Sequence, residues 1–506
     1  MRKVIFLFSL FSGLWTYAQT RQIDSLKLKI KKTTREDTLR VIDLNELGWQ
    51  YLDYSVDSSG KYVRAALQLS EKLGYLNGIV EAKSSQGILY RYANEPQKAI
   101  KLYAEVIELR TKQGRLDRLT GAYANLGSVY YQENDYAEGL RYYLKAFQNA
   151  STFKQSDNQI ALLNNIGAIY KSSGLTDLAI EAFKKGLEIN KNRKDEFQEG
   201  LLYLNLGTIY DQQGLFNESV KYDKYAYDIF KKTGNTRQLS VTLNNLSLSL
   251  RHAKDLKGTE TVLKEMQEVA DYLKEDEYYG SFYQSKANYL QELHKYAEAL
   301  KNIDKAIRFT DTINDRLTYA GRLLSKSDIH QKLGEYSKAI DYCDKGLMIA
   351  KEMEDKYKLS SGYISKSEIY QATGDFKNSL QYYQLAVKLN DSLTTDALNT
   401  KLATLNSLAE LDKKENELAL SIKEKENVEV KNKQQFVLLV GTFVIGILVI
   451  VLLIFSFRAY RVKKKDNELL NHQKDEIENQ KSLIEEKQKE ILDSIHYAQR
   501  IQQTLL

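Results

Sequence analysis

The chain has 506 residues, 43% hydrophobic and 28% charged, with one proline, one cysteine and a formal net charge of +6. An abundance of Leu, Ala, Lys, Glu and Tyr with a single proline favours helix and argues against a turn-rich sheet protein. The charge is too small for this length to suggest nucleic acid as a partner, and the length admits roughly two to four ordinary domains or one long repeat array.

At the N-terminus Arg2 and Lys3 precede an apolar stretch from Val4 to Leu14, and Thr16-Tyr17-Ala18 follows with the small-residue pattern of a signal-peptidase site. Residues 1–18 therefore read as a signal peptide cleaved after Ala18, and residues 19–40 as a helical lead-in.

From residue 41 to 392 one unit recurs. Gly87, Gly127, Gly167 and Gly207 lie 40 residues apart, and the frame continues through Ser247, Ala287, Ser327 and Ser367. The neighbours recur too: Tyr123-x-x-Leu126-Gly127-x-x-Tyr130, Leu163-x-x-Ile166-Gly167-x-x-Tyr170, and Tyr203-x-x-Leu206-Gly207-x-x-Tyr210. Twelve residues on comes a second small residue, at Ala99, Gly139, Ala179, Ser219, Ala299, Ala339 and Ser379. Large and small residues at helical spacing let two antiparallel helices approach closely, and Asn94, Asn134, Gly174, Gly214, Gly334 and Gly374 mark the turn between them. Such a pair cannot bury its apolar face alone, so pairs must stack. With an earlier copy at Leu47-Gly48-x-x-Tyr51, about nine pairs are predicted.

This pattern resembles the tetratricopeptide repeat, whose signature of aromatic-x-x-Leu-Gly-x-x-Tyr, Ala-x-x-x-Phe and Ala is matched by Ala179-x-x-x-Phe183 and by Ala146, Ala226, Ala306 and Ala386. The expected fold class is all-α, a solenoid of helix pairs. The period of 40 rather than about 34 implies longer second helices or loops, and the proline that usually ends the repeat is missing. The resemblance further implies that the residue two before the small position faces a concave groove. Those positions hold Asn125, Asn165, Asn205, Asn245, Ser285, Ser325 and Ser365. An amide offers a donor and an acceptor together and can pair with the backbone of an extended peptide, but it can equally bond the neighbouring repeat. Lys286, Lys326 and Lys366 stand where Leu126, Ile166, Leu206 and Leu246 are apolar, which suggests a wetter groove in the later repeats.

Other chemistry is not indicated. Cys343 is the sole cysteine and sits where a helix wants a buried apolar group, so it reads as a buried thiol, not half of a disulfide. His252, His294, His330, His472 and His496 lack the spacing of a zinc site. The acidic and basic residues follow exposed helix faces, with no phosphate loop or nucleophile elbow among them. Neither a catalytic residue, a metal nor a cofactor is expected.

Beyond 392 the frame ends. Leu408, Leu411, Leu418 and Ile422 keep three-and-four spacing, so residues 393–435 read as a helical stalk. Residues 436–457 carry no charge, amide or proline, and as a helix of roughly 33 Å they match a hydrocarbon core of about 30 Å. This is the expected single transmembrane helix. Arg458, Arg461, Lys463, Lys464 and Lys465 follow it against Lys431 and Lys433 before it, which keeps 458–506 in the cytoplasm near anionic lipid heads and exports the repeats. The expected location is a bacterial inner membrane, with the repeats periplasmic. In the tail, Leu470, Ile477, Ile484, Ile491, Ala498 and Leu505 fall every seventh residue. The companion column, Gln473, Gln480, Lys487, Ser494 and Ile501, is mostly polar, so a weak coiled-coil homodimer is expected.

Residues 487–506 look like the linker that precedes the phosphatase domain in bacterial sensors combining exported tetratricopeptide repeats, one span, a coil and a sporulation-type serine/threonine phosphatase. The sequence stops where that domain would start, so no activity carries over. His496 lacks the Glu and Pro that accompany a histidine-kinase phosphoacceptor. The leading expectation is a single-pass protein that binds a protein or peptide outside and relays or scaffolds signalling inside. The alternatives are the sensor half of a truncated phosphatase and a static envelope scaffold.

Overall fold

Every twentieth residue turns the chain back. In the computed structural model, which describes residues 23–32, 36–52 and 55–504, left-handed backbone occurs at residues 94, 134, 174, 214, 254, 294, 334 and 374, and again at 74, 114, 154, 194, 234, 274 and 354. Most of these positions end a helix in the same way, while Lys194, Gly234 and Lys274 bond the carbonyl four residues back. The amide of Glu95 bonds the carbonyl of Tyr90 and that of Asn94 bonds Arg91, the two reversed bonds of a Schellman cap, and the same pair recurs around Asn134, Gly174 and Gly214. Asn94, Asn134 and the expected glycines hold this conformation. Lys254 and His294 hold it too, at a steric cost that the sequence pattern does not advertise.

The resulting helices are α1 over 23–32, then the pairs α2 (Thr38–Tyr51) with α3 (Val56–Lys72), α4 (Leu76–Tyr92) with α5 (Pro96–Lys112), and α6 (Leu119–Gln132) with α7 (Tyr136–Thr152). They continue as α8 (Ser156–Ser172) with α9 (Thr176–Arg193), α10 (Glu196–Gln212) with α11 (Phe216–Thr233), and α12 (Thr236–His252) with α13 (Leu256–Leu273). The last are α14 (Asp276–Glu292) with α15 (Tyr296–Arg308), α16 (Arg316–Lys332) with α17 (Tyr336–Glu352), and α18 (Lys356–Ala372) with the start of α19 (Phe376–Thr504). The nine pairs among the described residues match the predicted number. The long period was expected to lengthen second helices or loops. The second helices are long, with 17 or 18 residues in most pairs, the first helices of most pairs are equally long, and the turns stay short. The exceptions are α2 and α6 with 14 residues each and α15 with 13, the last followed by a loop in which the Asp311 carboxylate accepts from the amides of Ile313 and Asn314 at 3.0 and 2.9 Å.

Large-to-small packing holds each pair. A Cβ on Gly87, Gly127 or Gly167 would lie 2.7, 2.9 or 2.4 Å from the ring of Tyr103, Tyr143 or Phe183, so only glycine fits beneath an aromatic there. In the later pairs the facing residue shrinks to Leu263, Ile303 and Cys343, and Ser247, Ala287 and Ser327 take the glycine's place. Cys343 is fully buried, and burial pushes its thiol up to about 12.

The chain forms two units, Met1–Leu411 and Asp412–Leu506. The first runs past the end of the repeat frame at 392 because residues 404–408 pack back onto earlier repeats. The second is helical from 412 to 504, and nothing in the single chain covers its apolar residues. It contains the one stretch among the described residues that is long and apolar enough to cross a membrane. Leu470, Ile477, Ile484, Ile491 and Ala498 are exposed on it. The expected signal peptide and Leu505 lie outside the described residues.

Candidate functional site

The groove follows from which helices touch. First helices of successive pairs contact one another, α2 with α4, α8 with α10 and α12 with α14, whereas second helices are spaced apart, so the stack curves with its first helices inside. Positions two before the small residue lie half-buried on that inner side.

There the side chains form a ladder between pairs. Asn205 Nδ2 donates to Asn164 Oδ1 at 2.9 Å, and Lys171 Nζ donates to Asn205 Oδ1 at 3.1 Å. Asn245 Nδ2 reaches Thr208 Oγ1 at 3.5 Å, Ser285 Oγ donates to Asn244 Oδ1 at 3.0 Å, and Gln284 Nε2 reaches Ser325 Oγ at 3.5 Å. Ser365 hydrogen-bonds Asp328, whose carboxyl burial raises to about 6. Five of the seven predicted residues are thus tied to a neighbouring pair, the structural alternative left open by the sequence. Asn125 and Asn165 share the same face, half-buried.

What the ladder leaves facing inward changes along the stack. On α12, Val241 and Leu248 flank Asn245 at four and three residues, and both stay exposed, at 46% and 37%. Equivalent positions on α6 and α8 are Gly121 and Ser128, and Ala161 and Ala168; on α16 and α18 they are Gly321 and Asp328, and Ser361 and Glu368. The inner face therefore runs from small residues through an apolar middle to the exposed carboxylate of Glu368, Asp328 being held by Ser365. Reasoning from one position per repeat missed Val241 and Leu248. Leu201 on α10 and Ile88 on α4 are also apolar at these positions but are half-buried or buried, so the signal in the sequence was only that α12 is large and apolar at both positions at once.

The later lysines do not wet this face. Lys326 Nζ pairs with Asp304 at 2.7 Å and lies 4.1 Å from the Tyr342 ring centroid, while Lys366 pairs with Asp344 and lies 4.4 Å from that of Tyr382. Lys286 lies over the Phe282 ring. Each of these two ammonium groups meets a carboxylate on the second helix of the preceding pair and a tyrosine ring of its own pair, so the expectation of a wetter groove is corrected: a long aliphatic stem replaces leucine and its charge is neutralised by the preceding pair's second helix.

One buried carboxylate stands out beside the groove. Asp223 occupies the slot that holds Tyr103, Tyr143 and Phe183 in earlier pairs, is 1% exposed, and accepts from Ser249 Oγ at 2.6 Å while its Oδ1 has no partner. Burial pushes its carboxyl up to about 7. Nearby, His252 Nδ1 and Asp211 Oδ1 meet at 2.8 Å. Among the described residues no three metal-ligating side chains converge.

Two family comparisons bear on this geometry. Residues 118–192, and separately 320–353 and 360–392, match families described as tetratricopeptide repeat. These segments are tetratricopeptide repeats. A comparison with curated proteins gives no match. Among solved structures, the apo form of the quorum sensor NprR from B. thuringiensis is similar at 13% identity and TM-score 0.48, over 77% of this chain and 99% of that one. A Rap protein complexed with Competence and Sporulation Factor is similar at 18% identity and TM-score 0.44, over 67% and 98% of the two chains. Aspartyl phosphate phosphatase F from Bacillus subtilis is similar at 12% identity and TM-score 0.49, over 71% and 96%. The tetratricopeptide segments cover both ends of the ladder, from Asn125 to Ser365.

Proposed function

We propose that the solenoid holds an extended stretch of polypeptide in its groove, and that the chain is a single-pass membrane protein relaying occupancy to paired helices beyond residue 458. The observation that carries the binding reading is the inner face of α12, where an amide sits between two exposed apolar side chains on the concave side. Amides suit the backbone of a ligand, Val241 and Leu248 suit its apolar side chains, and the exposed Glu368 suits a basic residue further along. The membrane reading is supported by the uncovered apolar run at 436–457 and the basic cluster after it. The exposed heptad column from Leu470 to Ala498 supports a weak parallel homodimer of tails.

Binding is tested by passing a random linear peptide library over the full chain in mild detergent. Val241→Glu and Leu248→Glu together should abolish retention of peptides that the native chain selects, with helicity and melting unchanged. Equal retention by both proteins would remove the groove from the ligand's path. For the relay, truncation at Arg461 should leave retention intact and abolish any output in cells. Protease added to spheroplasts should digest the repeats and spare the tail; the opposite pattern would invert the orientation.

A further inference from the structure

The turn inside each pair ends at a residue that is charged in most copies: Glu95, Asp135, Asp255, Lys295, Glu335 and Asp375. It is leucine only at 175 and 215. Leu215 is 50% exposed, which shows what that side chain does when nothing lies over it, but Leu175 is 8% exposed. Ser173, two residues before Leu175, is also buried, whereas its counterparts Glu133 and Gln213 are exposed. Something covers this one turn.

The cover is the stretch of α19 from 400 to 411. Thr404 is fully buried there and its Oγ1 donates to Ser173 Oγ at 3.1 Å across 231 residues of sequence. Ser407 Oγ donates to the Ala137 carbonyl at 3.2 Å, and Leu408 packs against the core that contains Leu175. The contact lies wholly within the first unit.

We infer that residues 400–411 are a strap that fixes the pitch of the solenoid, and with it the width of the groove. Stacked pairs touch only their neighbours, so small rotations between them add along the array and leave the pitch soft. A tie from beyond the last repeat to the turn between α8 and α9 removes that softness across the intervening pairs. It consists of two hydroxyl bonds and two leucines, few enough contacts that a groove ligand with about a hundredfold preference for one pitch would tip it. The strap thereby opposes ligands that need a wider groove. This step rests on the peptide-binding reading; the strap itself does not.

Two arms test it on the full chain with Cys343→Ala. In the first, spin labels at Gln148→Cys and Lys345→Cys, on exposed faces of α7 and α17, report the distance between repeats on either side of the tie. The native strap should give one narrow distribution, and Leu408→Glu a distribution at least twice as broad. Should Leu408→Glu lower helicity, Thr404→Ala with Ser407→Ala serves instead. An unchanged distribution in a folded strap variant would overturn the inference. In the second arm Ser173→Cys with Thr404→Cys is oxidised to lock the strap, and retention of the random linear peptide library is compared with Leu408→Glu. At least tenfold less retention on the locked form is expected. Equal retention overturns the coupling to the groove. Retention on neither form defeats the peptide reading, and the distance arm then decides the strap alone.

Discussion

Replacing Asp223 with asparagine should stabilise the solenoid, and by an amount that depends on pH in a defined direction. The native carboxyl titrates at about 7 against 3.8 in its ordinary state. The folded chain therefore binds more protons than the unfolded chain between those values, so stability falls as pH rises through that window and is level above it. The difference of about three pH units corresponds to about 4 kcal/mol at pH 8, and to about 2 kcal/mol at pH 5, where only the unfolded chain has ionised. Asparagine is neutral throughout, keeps an oxygen for the Ser249 hydroxyl and adds no bulk over Gly207, whose Cβ position lies 2.2 Å from Asp223 Oδ1. Melting followed by helicity should show the variant above the native chain by a few degrees at pH 8, by about half as much at pH 5, and by little at pH 4. Hydrogen exchange should place the gain in α11 and α12. A gap that stays constant with pH, or that vanishes at pH 8, would refute the claim that an ionised carboxylate is being held in this core slot.

Gly167→Ala should cost about 2–3 kcal/mol because its Cβ would enter the Phe183 ring, whereas Gly121→Ala, with no heavy atom within 4 Å, should gain about 0.5–1 kcal/mol; paired melts read both. Asp344→Ala strands the buried Lys366 ammonium and should cost about 2 kcal/mol, while Lys366→Leu, restoring the residue type of Leu206, should be neutral or stabilising in the same assay. With its thiol pushed up to about 12, Cys343 should resist alkylation at pH 8 in the native chain and react fully in denaturant, as counted by mass. Ile484→Cys should form disulfide-linked dimers in membranes and Glu485→Cys far fewer, seen on non-reducing gels; equal yields would reject the seam.

Periodicity carried most of the fold because its causes are local. A residue every 40 that must be small, and a turn that favours glycine or asparagine, declare both the pairing of helices and their number. The same reasoning found Asn125 to Ser365 but not their use. Whether an amide meets a ligand or the next repeat depends on distances between helices that are far apart in sequence, and five of those residues proved to be ladder rungs. Val241 and Leu248 escaped notice because apolar residues also stand at the aligned positions Leu201 and Ile88, and only the packing shows that on α12 they stay uncovered.

The sequence alone determined the helix pairs, their number, the small-residue packing and the apolar run at 436–457, all of which are read from neighbours within one or two turns. Only the tertiary structure decided that the lysines at 326 and 366 are neutralised from the preceding pair's second helix, that Asp223 lies sealed in an aromatic's place, and that Thr404 closes onto Ser173. Those facts join residues 22, 26 and 231 positions apart, and no spacing rule along a chain encodes which distant surfaces meet when weak rotations between repeats accumulate into a superhelix.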